Sequence, residues 1–209
     1  MKSNDKETKY TAAELLPQFK LNSNKITEAF VERLKNKPDI TFGSLLLSGL
    51  GELRVDGNTL AYLFDLVDDI SNPYIFAIIG ALGELGELGE TKINDKELES
   101  IVDKLLSILN SDLDHKEFSD NSITASSVKG AIALALSYYG DKAEKAVKEL
   151  ISLLADQDQE TRKNATIALG KIGAKAKDAI PSIQKLKDDE YTEVRDAASD
   201  AIEGIQKTA

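Results

Sequence analysis

The sequence predicts an all-α fold, an α–α superhelix in which about five two-helix repeats stack behind an N-terminal capping helix. Three observations carry the prediction. The end of the chain repeats itself at a constant offset of 33 residues. Apolar residues recur at i, i+3 and i+4, the period of a helix buried along one side. Proline and glycine fall between the periodic stretches, where helices start and stop.

The elements follow in chain order, with the whole chain, 1–209, read as one repeat domain. Residues 1–22 form the cap, with a helix expected over Lys9 to Phe19. Residues 23–55 form the first repeat: Leu34 and Leu50-Gly51-Glu52-Leu53 align with Leu66 and Leu82-Gly83-Glu84-Leu85 at offset 32. Residues 56–91 form the second. Its Leu63, Leu66, Val67, Asp69, Ala81, Leu82, Gly83, Leu85 and Gly86 align at offset 87 with Leu150, Leu153, Leu154, Asp156, Ala168, Leu169, Gly170, Ile172 and Gly173. Asn72-Pro73 puts a proline in the first turn of its second helix. Residues 92–140 form the third repeat. Val102, Leu105, Ile108 and Leu109 match Val147, Leu150, Leu153 and Leu154 at offset 45, whereas the second helix, around Val128 to Tyr139, returns to offset 33. The difference of 12 measures an insertion in Asn110 to Asn121.

Residues 141–174 and 175–209 form the last two repeats and hold the closest register. Val147, Leu150 and Leu153 match Ile180, Ile183 and Leu186; Asp156, Thr161 and Arg162 match Asp189, Val194 and Arg195. Ala165, Ala168, Leu169 and Ile172 match Ala198, Ala201, Ile202 and Ile205. Second helices carry small residues where neighbours should cross, such as Ala131, Ala133, Ala135, Ala165 and Ala168, and Gly140 and Gly173 follow two of them. No stretch reads as a strand; Ile78-Ile79 continues a helical period.

Composition narrows the function. Apolar residues are 42% and charged residues 30%, as in a folded chain. The absence of cysteine excludes disulfides, thiolate metal sites and a cysteine nucleophile. Met1 to Glu7 is polar and offers no signal-peptide core, and no run approaches the roughly 18 apolar residues of a membrane span. A cytoplasmic protein without membrane contact is expected. Net charge is −10, with 15 acidic residues against four lysines from Asp56 to Asp120, and ten basic against seven acidic from Asp141 to Lys187. Only Arg33, Arg54, Arg162 and Arg195 supply guanidinium groups, so no nucleic-acid partner is expected. An acidic middle suits another protein, of basic character.

Thr161-Arg162-Lys163-Asn164-Ala165-Thr166-Ile167-Ala168-Leu169-Gly170-Lys171-Ile172-Gly173 resembles the second helix of a bacterial HEAT-like repeat, the variety seen in phycobilisome lyase-like proteins. Ala179-Ile180-Pro181-Ser182-Ile183 resembles its first helix, including a proline that bends it. The likeness is closest from Ala143 to Ile205, looser from Asn58 to Gly89, and loosest from Ile26 to Leu53. It implies a fold and not an activity: a non-enzymatic scaffold or adaptor, with first helices on a convex face and second helices on a concave, ligand-binding face. It also implies that Arg162 and Arg195 bond to Asp156 and Asp189 of their own turns, an internal ladder that stiffens the turns. Two alternatives stay open. One is an antidote or immunity-type protein that neutralises a basic toxin or nuclease. The other is a bilin lyase or isomerase, whose determinants form no compact motif. Iron-dependent hydroxylases of this architecture need several His–Glu pairs, and this chain has one histidine. Alkylpurine glycosylases of this architecture use a basic, tryptophan-bearing groove, and this chain is acidic and has no tryptophan.

No catalytic residue, cofactor or metal is expected. His115 lies in the acidic insertion, but Glu117 and Ile123 stand where a calcium loop needs its glycine and terminal glutamate. The glycines of Gly80 to Glu90 follow no strand and alternate with glutamates, which would repel phosphate; packing and capping explain them. If second helices line the binding face, its exposed positions are Leu45, Ser48, Glu52, Ala77, Gly80, Glu84, Ala131, Leu134, Tyr138, Asn164, Ile167, Lys171, Ala197, Asp200 and Gly204. Glu52, Glu84, Leu134, Tyr138, Ile167, Lys171 and Asp200 are the candidate partner-binding residues, with Leu134, Tyr138 and Ile167 as an apolar centre between charged flanks. The competing reading packs Leu134 and Ile167 between helices.

Overall fold

The computed structural model of the chain describes residues 6–19, 23–53, 55–87, 94–116, 118, 120 and 122–208. The helices are α1 (Lys6–Leu15), α2 (Ser23–Lys35), α3 (Ile40–Glu52), α4 (Gly57–Asp68), α5 (Ile75–Glu87), α6 (Asp95–Leu109), α7 (Ala125–Ser137), α8 (Val147–Leu153), α9 (Gln159–Ile172), α10 (Ile180–Lys185) and α11 (Thr192–Lys207). Among the described residues there is no strand, and the fold is all-α. Two compact units divide the chain, Met1–Glu97 and Leu98–Ala209.

Local chemistry starts the helices where the repeat register puts them. Asp39, Asp56 and Asp158 stand one residue before α3, α4 and α9 and accept the amides of Phe42, Thr59 and Thr161. Each bond satisfies a donor that the helix itself leaves unpaired. Thr124 and Ser127 form a reciprocal capping box at α7. The turns between the paired helices use one device three times. Asp69, Asp156 and Asp189 each accept the amide two residues on, from Ser71, Asp158 and Tyr191. Pro73 lies in the turn before α5, not in its first helical turn, because Asn72 closes that turn onto the Tyr74 amide.

In the first unit α1 packs on α3, and α3 packs on α5. The cap helix starts earlier than the expected Lys9 and stops at Leu15, two residues before Pro17; a short 3-10 turn, Pro17–Phe19, follows. Tyr10 stacks on Phe42 at 5.1 Å and donates its hydroxyl to Asp39 at 2.6 Å, which ties the cap to the start of α3. The core holds Phe30, Leu46, Leu50, Leu63, Ile78 and Leu82, all fully buried.

In the second unit α7 packs on α9, and α9 on α11. The 33-residue register holds in the burial of its core pairs. Leu150 and Ile183, Thr161 and Val194, and Ala165 and Ala198 are fully buried pairs. Val147 and Ile180 are each the first residue of their helix and each half-buried. Gly140 and Gly173 both adopt positive φ, +54° and +71°, a conformation that costs other L-residues energy. Each glycine opens a 3-10 stretch, Gly140–Ala146 or Gly173–Ala179, kinked at Ala143 or Ala176. The first helices of these repeats are therefore bent, but Pro181 is not the cause. The same kink forms at Ala143, where Lys148 occupies the equivalent position.

The arginine ladder also differs from the expected one. Arg162 places Nε and Nη2 on the two carboxylate oxygens of Asp189, in the next repeat, at 2.8 and 2.9 Å. In its own turn it meets only backbone, with Nη1 donating to the carbonyls of Asp156 and Gln157. Asp156 is occupied by its own turn, so the fork reaches across. Arg195 keeps the backbone half of the pattern, donating to the carbonyls of Asp189 and Glu190, and adds Thr192 Oγ1. The insertion is pinned at two points. Leu113 is buried, and Asp114 pairs with Lys129 of α7 at 3.1 Å. The side chains of His115 and Glu117, the segment Leu88 to Glu90 and the N-terminal Met1 to Asp5 lie outside the described residues.

Candidate protein-interaction face

Consecutive second helices can touch only where their residues are small. In the first unit Gly51 of α3 sits against Glu84 of α5. In the second, Gly130 of α7 sits against Thr161, whose hydroxyl donates to the Ser126 carbonyl at 2.8 Å, while Asn164 donates to the Gly130 carbonyl at 3.2 Å. A Cβ at Gly170 of α9 would lie 2.8 Å from the Ala201 Cα of α11. A Cβ at Gly204 would lie 3.1 Å from the Gly170 carbonyl oxygen. Backbones this close bury the facing stripe and turn the neighbouring stripe to solvent.

The stripe turned outward is the one the register names. All fifteen expected face positions are exposed or half-buried, and none is buried. Glu52 is exposed and Glu84 half-buried in the first unit. In the second unit Leu134 is 39% and Tyr138 38% exposed, too open for residues that only fill space between helices. Ile167 is half-buried; Lys171 and Asp200 are exposed.

The structure brings three of these together. Ile167, Lys171 and Asp200 line a groove of about 610 Å³ between α9 and α11. Its floor is Gly170, Ala197, Ala201 and Gly204. Its α9 wall is Lys163, Ile167 and Lys171, and its α11 wall is Glu193, Asp196 and Asp200. Leu134 and Tyr138, at the end of α7, do not line it. The sequence reading missed Lys163, Glu193 and Asp196, although helical period points to them. Lys163 stands four residues before Ile167, and Asp196 four before Asp200. Lys163 is paired with Glu160 at 2.6 Å, so the α11 wall carries the larger uncompensated charge.

Perturbed ionisation falls outside the groove, and several of the shifted groups belong to pairs that join repeats. The Arg162 guanidinium holds the Asp189 carboxyl below the usual carboxylate range. Asp103 and Glu99 of α6 raise the Lys145 ammonium, and Glu144 and Asp141 raise that of Lys175. Burial pushes the Tyr139 hydroxyl far above its ordinary value. Among the described residues no group of three or more acidic, histidine or cysteine side chains is placed to hold a metal ion. Nor is any described helix long and apolar enough to cross a membrane.

A family model described as HEAT repeats matches residues 123–203, the segment that contains α7, α9 and all of the groove's lining but Gly204. Residues 123–203 are HEAT repeats. The match is to HEAT repeats in general and does not single out the lyase-like variety. The whole chain is similar in fold to a designed armadillo repeat protein solved in complex with the peptide (KR)4. That pair is 18% identical, with 98% of this chain and 95% of the other covered and a TM-score of 0.61. It is likewise similar to an engineered protein at 22% identity, with 100% and 94% covered and a TM-score of 0.56. At these identities the likeness shows a helical-repeat fold and nothing further. No curated protein matches the chain.

Proposed function

We propose that this chain is a non-enzymatic protein-interaction scaffold or adaptor that binds a basic partner through the outward stripes of its second helices. The observation that carries the reading is the accessibility of all fifteen register-derived positions, including the large apolar Leu134 and Tyr138. Exposed aromatic and aliphatic side chains beside charged ones are the usual anchors of a protein interface. The charge of −10 supports a basic partner by steering it at long range. A further support is that a protein of the same fold has been solved with the peptide (KR)4.

The test is calorimetric titration of the full chain with (KR)4. Binding is expected, weakening as salt rises, because exposed charges farther apart than a Debye length of about 10 Å at 0.1 M are largely screened. Leu134→Ser combined with Tyr138→Ala should reduce the affinity while circular dichroism shows unchanged helix content. No measurable heat, or an affinity indifferent to both salt and the double substitution, would remove this assignment.

A further inference from the structure

The α9–α11 groove is polarised along its length. Gly170 lies against both Ala201 and Gly204, so equivalent positions of the two helices sit side by side. At the level of Lys163 the opposite wall presents Asp196, with Glu193 one turn before it. At the level of Ile167 it presents Asp200. At the level of Lys171 it presents only Gly204. With Lys163 already paired to Glu160, one end of the groove is acidic and the other is basic through Lys171. The floor has no side chain larger than methyl, so a main chain can lie close to both helices. Ile167, midway along, offers an apolar wall on which the stem of a lysine or arginine can rest.

We propose that this groove takes an extended segment of a partner protein carrying one basic and one acidic side chain about four residues apart. Asp196 and the level of Lys171 are separated by eight helical residues, about 12 Å along the axis. An extended chain rises about 3.3 Å per residue, so its third or fourth following residue reaches that far. The basic side chain lies among Glu193, Asp196 and Asp200, and the acidic one meets Lys171. The inference deepens the interaction-module reading and rests on it, by naming the ligand class of one part of the face.

The experiment titrates the full chain with capped, fluorescently labelled peptides, read by anisotropy. One peptide has lysine and glutamate four positions apart. The controls have the pair adjacent, the pair eight apart, two lysines four apart, or two glutamates four apart. The four-apart lysine–glutamate peptide should bind roughly tenfold more tightly than each control. Lys171→Glu should transfer the preference to the two-lysine peptide; Asp196→Lys with Asp200→Lys should transfer it to the two-glutamate peptide. Equal binding of all five peptides overturns the proposal. So does preference for the eight-apart pair, which would assign the groove to a helix. So does concentration-dependent self-association that the peptides reverse, which would assign it to a second copy. If (KR)4 binds in a Tyr138-dependent way while the groove variants change nothing, the groove assignment falls and the interaction module stands. If neither (KR)4 nor any peptide binds, both fall.

Discussion

Arg162 shows how much one side chain carries in a repeat array. Its planar fork matches the Asp189 carboxylate on two atoms, and the two side chains are only 10% and 7% exposed. Tyr191 covers the guanidinium at 5.8 Å. Removing one partner of such a pair leaves the other buried and uncompensated. Arg162→Ala is therefore expected to lower unfolding free energy by about 3 kcal/mol in urea titration. Arg162→Lys should recover only part of that, because an ammonium cannot occupy both oxygens. The paired Asp189 carboxyl is held below its ordinary range in the folded state. Its stabilisation is thus complete above the unfolded value, about pH 4, and is lost as pH falls through the lower folded value. Asp189→Asn should flatten that acid limb of the stability profile. The resemblance implied an Arg–Asp bond but gave Arg162 the Asp156 of its own turn, six positions away, in place of Asp189, 27 positions away. Only the stacking of repeats reveals the farther one.

At the scale of helices, the repeat register predicted the second helices closely and the first helices less well. Second helices depend on signals that are local in sequence: a 3.6-residue period, small residues at the crossings and, at α3, α7 and α9, an Asp or Thr cap. The first helices of the last two repeats begin as 3-10 stretches after Gly140 and Gly173, with kinks at Ala143 and Ala176. Alanine carries no mark of a kink, so periodicity read these segments as continuous, and the resemblance gave the bend to Pro181. Glycine likewise has two meanings that sequence alone does not separate. Gly170 is held by contact, since a methyl there would meet Ala201 at 2.8 Å, whereas nothing lies within 4 Å of a methyl at Gly80. Gly170→Ala should destabilise the fold by forcing α9 and α11 apart. Gly80→Ala, inside α5, should stabilise it by up to about 1 kcal/mol through helix propensity. Parallel thermal melts check both signs; a stabilised Gly170→Ala protein would contradict the close packing.

On the scale of the whole molecule, a constant offset determines which stripes are buried and which are offered to a partner. That much is legible in a single sequence, because the same stripe recurs in each unit and its exposure follows from helical period. The groove itself is not legible. Its depth depends on the close approach of Gly170 to Ala201 and Gly204, and its charge gradient on which residues stand side by side across two helices. Leu134 and Tyr138 illustrate the limit: the register placed them on the exposed face, but they stand apart from the groove that holds Ile167, Lys171 and Asp200. The most direct test of the account is an amide chemical-shift map of the isotope-labelled full chain titrated with (KR)4. The account predicts shifts concentrated on the outward stripe of second helices, including Leu134, Tyr138, Ile167 and Asp200. Shifts confined instead to first helices, such as Lys148, Ser152, Gln184 and Lys187, would contradict it.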